Sequence, residues 1–203
     1  MVMIKNYIFD FGNVLAEFFP DKLTAPYAKD DESRKIISDV MFDRLYWDRL
    51  DNGTISNDEV KRKVKERLSP ELYEMACKAM DNWVMNLTPV EGMQQLVKDI
   101  KKTGKKLFLL SNISIEFAEG YKNVKWIKEL FDMFDGLVFS GPIGLVKPKK
   151  EIFNYLTEKY QLKNDECLFI DDSIKNINGA KECGIVGYLF DGDAEKLRKY
   201  LGL

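Results

Sequence analysis

Short runs of apolar residues recur along the chain, and segments with helical spacing separate them. The runs occupy residues 7–9, 107–110, 136–139, 167–170 and 186–190. Runs with so few polar positions are typical of parallel strands that are covered on both faces. Two intervening segments each place apolar residues on one helical face, at Val90, Met93, Leu96, Val97 and Ile100 and at Ile152, Phe153, Leu156 and Tyr160. The alternation predicts an α/β fold with a doubly wound parallel sheet.

The stretch from Glu17 to Leu87 interrupts this alternation, because it has helical spacing and no convincing strand. Its three apolar stripes are Ile36, Ile37, Val40, Met41 and Leu45; Val60, Val64 and Leu68; and Leu72, Met75, Ala76, Ala79 and Trp83. Ser56 and Glu59 fit a capping box at the start of the second helix, after a turn at residues 51–53. We expect a helical cap of residues 17–87, inserted into an α/β core of residues 1–16 and 88–203.

The composition is that of an ordinary soluble globular protein, with 45% hydrophobic and 32% charged residues among 203. The net charge of −2 gives no bulk attraction to nucleic acid or to an anionic membrane, and no apolar run approaches the length of a transmembrane helix. Residues 1–10 lack the features of a secretion signal. We therefore expect a cytoplasmic location and neither nucleic acid nor membrane as a partner; the oligomeric state stays open.

The cysteine and histidine content narrows the chemistry. Cys77, Cys167 and Cys183 match no zinc-binding spacing, and their odd number argues against a disulfide framework, so we expect buried thiols. The chain has no histidine. This absence excludes Ser-His and Cys-His catalysis and histidine metal sites. Catalysis must use Asp, Glu, Lys, Ser, Cys, Tyr or a hard metal ion.

Three of the apolar runs end at polar residues, namely Asp10, the pair Ser111-Asn112 and the pair Asp171-Asp172. Ligands of open parallel sheets bind beyond the carboxyl ends of the strands. If the three strands are neighbours, these groups converge, and the carboxylates repel one another. A hard divalent cation relieves that repulsion, and oxygen ligands suit Mg²⁺. Such a site in turn favours an anionic substrate such as a phosphate.

Each of these residues also has a simpler structural interpretation. Asp10 fits a turn at the end of a strand, and Ser111-Asn112 fits a cap of the following segment. Asp171-Asp172 could be no more than the N-cap of the helix that starts near Ile174. Lys147 alone fits a solvated charge. The convergence of Asp10 with the Asp171-Asp172 pair at separate strand ends is what favours the functional interpretation.

Four motifs, in order along the chain, resemble the haloacid dehalogenase superfamily of phosphatases. They are residues 7–15 (YIFDFGNVL), residues 109–112 (LLSN), Lys147-Pro148 with the helix of Ile152 and Phe153, and residues 169–173 (FIDDS) with Asn176. Any one motif is weak, but the set spans essentially the whole chain. The insert is similar to the helical cap of the family's first cap class. The Asp-x-Gly-Asn-Val form of the first motif resembles a subgroup acting on sugar phosphates, including glucose-1-phosphate phosphatases.

The resemblance implies a mechanism centred on Asp10. This residue would attack phosphorus and form an aspartyl-phosphate, dividing one difficult step into two easier ones. Mg²⁺ would bind Asp10, the main-chain carbonyl of Gly12 and Asp172, with Asp171 reaching the ion directly or through water. The expected substrate is a small phosphorylated metabolite.

The resemblance also assigns the remaining groups. Ser111 and the backbone N–H of Asn112 would hold phosphate oxygens. Lys147 would neutralise charge on Asp10 and on the phosphoryl group, since phosphoryl transfer depends mainly on positioning and electrostatics. Asn176 would support the site from behind. We expect Trp47, Asp48 and Asp51 of the cap to face Asp10, although Trp47 fits a core position equally well.

The first motif departs from the family pattern at Gly12, where the usual residue is an aspartate that acts as general acid and base. Such help is worth about 10²–10⁴-fold in rate. The glycine is compatible with three alternatives: the protein is a slow enzyme, it acts on a substrate with a good leaving group, or it binds phosphate without turnover. Glu17 is a possible substitute acid, although a solvated linker carboxylate is the simpler interpretation. A metal-independent dehalogenase is a further alternative, against which the Asp171-Asp172 pair counts.

Overall fold

The computed structural model describes residues 3–203 and contains a parallel five-stranded sheet with helices around it. Across those residues the strands are β1 (Asn6–Phe9), β2 (Ala16–Glu17), β3 (Thr88–Pro89), β4 (Lys106–Ser111), β5 (Gly136–Phe139), β6 (Cys167–Asp171) and β7 (Val186–Leu189). The main sheet has the order β5-β4-β1-β6-β7, while β2 and β3 form a separate antiparallel pair. The predicted α/β fold is confirmed.

The helices fall into two groups, before and after β3. The first group is α1 (Pro20–Thr24), α2 (Asp31–Met41), α3 (Arg44–Asp51), α4 (Asn57–Val64) and α5 (Pro70–Asn82). The second group is α6 (Met93–Lys102), α7 (Ile115–Gly120), α8 (Lys125–Phe131), α9 (Ser140–Ile143), α10 (Lys150–Lys159), α11 (Ile174–Glu182) and α12 (Ala194–Leu201). Short 3₁₀ turns cover Ala25–Tyr27, Lys65–Arg67, Trp83–Asn86, Tyr121–Asn123 and Asn164–Glu166.

The register of the sheet brings three strand ends together. Strand β1 lies between β4 and β6, and Phe9 is opposite both Leu109 and Ile170. The N–H of Asp10 donates to the carbonyl of Ile170 at 2.9 Å, so Asp10 extends the pairing by one residue. All three strands run in the same direction, and their carboxyl ends therefore form one edge, where ligands of such sheets bind.

Apolar side chains cover both faces of the sheet, as the sequence predicts for its inner strands. Ile8 and Phe9 are fully buried on opposite faces, because side chains alternate along a strand. The prediction of complete cover fails for β7, where Val186 and Leu189 are 41% and 47% exposed. Strand β7 is an edge strand with a neighbour on one side only, so its apolar composition does not imply burial.

The segment between β2 and β3 is helical, and the β2–β3 pair joins it to the rest of the chain. The predicted capping box is confirmed: the Ser56 hydroxyl accepts from the N–H of Glu59 and the Glu59 carboxylate accepts from the N–H of Ser56, both at 3.2 Å. Leu45 was wrongly placed in the stripe of Ile37 and Met41. Helix α2 ends at Met41, and Leu45 lies on α3 with 62% exposure. The division into a core and a cap of residues 17–87 stays a prediction.

Two further sequence expectations concern membranes and cysteines. Across the described part of the chain, no helix combines the length and the apolar character needed to cross a bilayer. All three cysteines are free thiols, as expected, but only Cys167 is buried. Cys77 and Cys183 are half-buried, on the fifth helix and at the end of α11.

Candidate active site

A buried lysine joins two aspartates at the edge where the strands end. The Nζ atom of Lys147 lies 2.7 Å from Oδ1 of Asp10 and 2.8 Å from Oδ2 of Asp171. The three side chains are 1%, 12% and 0% exposed, so these ion pairs are shielded from solvent. Removing one member of a buried ion pair leaves an uncompensated charge, which costs several kcal/mol. The alternative interpretation of Lys147 as a solvated charge is therefore wrong.

A third aspartate completes an acidic cluster. Carboxylate oxygens of Asp10, Asp171 and Asp172 all lie within 4.8 Å of one another. The side-chain amide of Asn176 donates to both oxygens of Asp171, at 3.0 and 3.1 Å, in the supporting position that the sequence predicts. Asn13 donates to Oδ2 of Asp172 at 3.3 Å. The cluster is thus held from behind by amides, with Asp172 at its exposed side.

Burial and mutual repulsion set the electrostatics of this cluster. Desolvation raises the pKa of Asp10 above its ordinary value, and Lys147 opposes that shift. Desolvation and the neighbouring Asp171 also raise the pKa of Asp172. For Lys147, the two carboxylates outweigh burial and raise the pKa, so it remains protonated at neutral pH. Positive charge beyond that of Lys147 would stabilise the ionised aspartates.

The donor set fits a hard divalent cation. Carboxylate oxygens are the ligands that Mg²⁺ prefers, and the three in this cluster converge from two strand ends. Gly12 lines the same cavity as Asp10 and Asp172, which is compatible with the predicted use of its carbonyl. The site therefore has the chemistry expected for magnesium on the basis of its own residues.

The loop after β4 approaches Lys147 through Asn112. The Asn112 side chain donates to the Lys147 carbonyl at 3.0 Å and accepts from the Lys147 N–H at 2.8 Å. Ser111 is buried beside Asp10 at the end of β4 and lines an inner cavity with Asn112. The alternative that Ser111-Asn112 caps the next helix is wrong, because Ser114 is the residue that caps α7.

The alternative helix-cap interpretation of Asp171-Asp172 is also only a minor part of their role. Ser173 is the N-cap residue of α11, and its side chain makes no capping hydrogen bond. Asp171 accepts from the N–H of Ser173 at 2.8 Å, but its other contacts go to Lys147 and Asn176. A residue that only capped the helix would not need a buried lysine.

A cavity of about 820 Å³ lies between this edge and the preceding helical segment. Its walls include Asp10, Lys147 and Asp172 on one side and residues of α3 on the other. A smaller inner cavity of about 90 Å³ reaches from Asp10 to apolar side chains. The aromatic wall, as we call Phe18, Phe42, Trp47 and Trp83, packs with ring centroids 4.7–5.8 Å apart.

The structure places the three expected cap residues on this cavity. Trp47, Asp48 and Asp51 all line it, and Trp47 also packs in the aromatic wall, so both interpretations of Trp47 hold. Asp48 is exposed and paired with Arg44 at 2.9 Å. Asp51 is buried, and desolvation, followed by repulsion from Asp48, raises its pKa to about 7.

Glu17 does not reach this cavity. It lies on β2, paired with Lys22 at 2.9 Å, and it accepts from the Thr88 hydroxyl at 3.0 Å. These contacts lower the pKa of Glu17, which suits a charged linker residue rather than an acid. Glu17 lines a smaller cavity of about 380 Å³, which meets the larger one at Asn13 and Asp172. The simpler interpretation of Glu17 fits the structure better.

Sequence reasoning missed two polar residues of the site and most of its apolar wall. Asn13 adopts a left-handed conformation with φ of 55°, which turns its side chain toward Asp172. An Asn directly after a Gly at a strand end was the available signal. Ser140 joins α9 to the loop after β4, and no local pattern indicates this. Phe18 and Phe42 gave no signal because their partners are distant in sequence.

Comparisons with known proteins agree with this geometry. The family model described as haloacid dehalogenase-like hydrolase matches residues 4–184. A sesquiterpene phosphatase of Aspergillus oryzae is 25% identical over 98% of this chain and 97% of its own length. A D-ribitol-5-phosphate phosphatase of Bacteroides thetaiotaomicron is 27% identical over 90% of this chain and 89% of its own.

Two solved structures share the fold. A HAD-like family hydrolase from Porphyromonas gingivalis superimposes with a TM-score of 0.73, at 22% identity over 98% of each chain. A HAD family enzyme from Bacteroides thetaiotaomicron, in complex with magnesium and inorganic phosphate, gives 0.69 at 24% identity over 96% of this chain and 98% of its own. Both likenesses concern the arrangement of strands and helices.

Proposed function

The chain belongs to the haloacid dehalogenase-like hydrolase family, and on that premise we propose that it is a magnesium-dependent phosphatase with Asp10 as its nucleophile. The observation that carries the proposal is the cluster of Asp10, Asp171 and Asp172 around Lys147 at one sheet edge. Hydrolysis of a phosphate monoester needs a nucleophile, compensation of the phosphoryl charge and a pocket for the leaving group. This cavity supplies all three from adjacent residues.

In the proposed reaction, an oxygen of the Asp10 carboxylate attacks phosphorus, and the bond from phosphorus to the leaving oxygen breaks. Water then attacks the aspartyl-phosphate and releases inorganic phosphate. Lys147, held between Asp10 and Asp171, orients the nucleophile and compensates negative charge where the phosphoryl group transfers. Ser111 and the N–H of Asn112 would hold phosphate oxygens, because both line the inner cavity next to Asp10.

The metal part of the proposal concerns four ligands. Asp10, the carbonyl of Gly12, Asp171 and Asp172 would hold Mg²⁺. When bound, the ion supplies positive charge that orients a phosphate and neutralises its oxygens. Support comes from the acidic cluster and from the fold neighbour crystallised with magnesium and phosphate. The cluster would be costly if all three carboxylates were ionised with Lys147 as their one cationic neighbour.

We propose a small phosphorylated metabolite, and a sugar phosphate in particular, as the substrate. A cavity of about 820 Å³ falls in the range of small-molecule sites. Arg44, Asp48 and Asn52 give its outer part hydrogen-bonding groups that hydroxyl-rich molecules use. The relative that acts on D-ribitol 5-phosphate agrees with this class, while the aromatic wall and the sesquiterpene phosphatase favour a more apolar leaving group as the second candidate.

Hydrolysis of 4-nitrophenyl phosphate, with Mg²⁺ and after chelation by EDTA, tests the reaction class. We expect turnover that requires the ion and that is lost in Asp10→Asn. Binding of inorganic phosphate without turnover would replace this proposal by a phosphate-binding function. Release of halide from a 2-haloacid that survives chelation would replace it by dehalogenation. A screen of phosphorylated sugars, polyols and prenyl phosphates would then rank the substrate classes.

A further inference from the structure

Departure of an alkoxide from a phosphate monoester is assisted by a proton, and position 12 provides no side chain to deliver it. An ideal Cβ at Gly12 would lie 3.8 Å from the Cβ of Phe18, so the position is open but carries no acid. The proton must come from another group on the cavity or from solvent. A general acid is worth about 10²–10⁴-fold, which makes its identity important for turnover.

The other acids on the cavity or next to it already have a partner or a proposed role. Asp171 is fully buried between Lys147 and Asn176. Asp10 is the proposed nucleophile, and Asp172 belongs to the proposed metal site. Asp48 is 62% exposed and paired with Arg44, which favours its ionised form.

Asp51 is different from these residues. It is the last residue of α3, it is 9% exposed, and it lines the cavity that also contains Asp10, Gly12 and Lys147. Among residues 3–203 no hydrogen bond or ion pair engages its carboxylate. A mostly buried carboxyl with no protein partner is costly to ionise, and one that opens on a cavity is a candidate functional group.

The backbone of Asp51 is fastened to the phosphate side of the cavity. The Ser140 hydroxyl donates to the carbonyl of Asp51 at 2.5 Å and accepts from the N–H of Ile113 at 2.8 Å. Ile113 directly follows Ser111-Asn112, so a single buried hydroxyl ties the end of α3 to the proposed phosphate loop. These two hydrogen bonds hold the backbone of Asp51 next to that loop.

Gly53 allows this close approach. Its φ is +69°, and an added Cβ would lie 2.2 Å from the carbonyl oxygen of Gly141 on α9. Both the left-handed conformation and the contact exclude a side chain at this position. The glycine in the turn after Asp51 thus lets the end of α3 pack directly against α9. This packing holds Asp51 at the cavity.

We propose that Asp51 is the proton-transfer residue of this hydrolase, in place of a side chain at position 12. This inference rests on the proposed function. In the first step Asp10 attacks phosphorus, the bond to the leaving oxygen breaks, and neutral Asp51 gives that oxygen its proton. In the second step the Asp51 carboxylate takes a proton from the water that attacks phosphorus. The bond between phosphorus and Asp10 then breaks, and Asp10 and neutral Asp51 are both restored.

The charges around Asp51 suit both steps. Burial first and Asp48 second raise the pKa of Asp51 to about 7, while Arg44 and Lys147 act to lower it. The other charged groups on the cavity are Asp10, Asp172 and Lys175. A pKa near the working pH is the best compromise for a group that must both give and take a proton.

The test is the dependence of single-turnover rate on the leaving group, measured with Mg²⁺ for wild type and Asp51→Asn. Asparagine keeps the shape and cannot transfer the proton. We expect rates for methyl and ethyl phosphate to fall about 10²-fold or more, and those for 4-nitrophenyl phosphate to change less than about threefold. The limb of the pH–rate profile above neutrality should disappear in the variant. Adding Gly12→Asp to Asp51→Asn should recover part of the loss for alkyl phosphates.

Equal losses for all leaving groups, with an unchanged pH profile, would overturn the proposal and make Asp51 a structural residue. Glu17→Gln is the matched control, and it should leave all rates unchanged; a selective loss of alkyl phosphates there would also overturn the assignment. The proposed function fails separately, if wild type hydrolyses none of the phosphates. Circular dichroism and the binding of inorganic phosphate show that each variant is folded.

Discussion

The two walls of the cavity differ in how their charged side chains are buried and paired. On the core wall, which comprises Asp10, Lys147, Asp171 and Asp172, three buried charges are paired at 2.7–2.8 Å, and the exposed Asp172 lies within 4.8 Å of the other two aspartates. On the cap wall, which comprises α3 and the aromatic wall, one charged pair is exposed and one carboxylate is buried alone. The difference supports our proposals that phosphoryl chemistry takes place at the sheet edge and that the facing helical segment provides leaving-group contacts and proton transfer.

The largest expected contrast compares the same substitution on the two walls. Asp10→Asn should lower the rate of hydrolysis by more than about 10³-fold, because it removes the proposed nucleophile and a proposed metal ligand at once. Asp48→Asn should cost less than about tenfold, since Asp48 is an exposed residue with a surface ion pair. Initial rates with 4-nitrophenyl phosphate measure both. Similar losses in the two variants would break the division of labour between the walls.

The second contrast concerns stability and compares two cations. Lys147→Met leaves Asp10 and Asp171 buried without their counter-charge, and we expect a loss of about 3 kcal/mol in the free energy of unfolding. Arg44→Met removes only an exposed pair with Asp48, for which about 0.5 kcal/mol is expected. Urea unfolding in EDTA at pH 7 measures both without metal. A Lys147→Met protein as stable as wild type would show that the core wall is not held by charge.

The third prediction is a substitution that increases the free energy of unfolding instead of lowering it. The folded-state pKa of Asp51 is raised from 3.8 to about 7, so the folded protein binds this proton more tightly than the unfolded chain does. Stability contributed by this group is therefore lost as the pH rises from about 4 to 7. Asp51→Asn removes the penalty and should stabilise the protein by about 1–3 kcal/mol at pH 8, and by less at pH 5. Urea unfolding at the two pH values checks this prediction, and a destabilised variant at pH 8 would contradict the solitary burial of Asp51.

The smallest expected effect tests the aromatic wall. Phe42 packs on Trp47 with ring centroids 4.7 Å apart, and both line the cavity. Phe42→Leu should raise KM for an aryl phosphate by about fivefold and leave kcat nearly unchanged, since an aromatic contact is worth about 1 kcal/mol. Steady-state kinetics with aryl and sugar phosphates make the measurement. A fall in kcat alone would indicate that the wall acts on the chemical step instead.

The sheet and the aspartates of the core wall were predictable from local pattern, whereas Lys147 was assigned to the site only through the family resemblance. Apolar runs that end in Asp10 and Asp171 identify parallel strands and their functional ends, and the known behaviour of such sheets brings the ends together. The pair of hydrogen bonds between the Asn112 side chain and the Lys147 backbone was not predictable, because the two residues are 35 positions apart. The exposure of β7 was missed because strand order is not encoded in the composition of one strand.

The cap wall was harder to predict from sequence. Trp47, Asp48 and Asp51 were recognised as candidates, but nothing in the sequence distinguishes an exposed Asp48 from a buried Asp51 three residues later. That distinction depends on Ser140 and Gly141, which belong to a helix from a distant part of the chain. Glu17 was considered as a substitute acid at the start of the predicted cap, whereas its carboxylate contacts Lys22 and Thr88.

In the proposed reaction, turnover passes through a covalent phosphoryl group on Asp10. Mass spectrometry of the protein, acid-quenched within a single turnover of 4-nitrophenyl phosphate in the presence of Mg²⁺, tests it directly. We predict one phosphoryl group on the peptide that contains Asp10, and none in Asp10→Asn or in EDTA. A protein that turns over substrate while that peptide stays unmodified, or that carries the group on another residue, would contradict it.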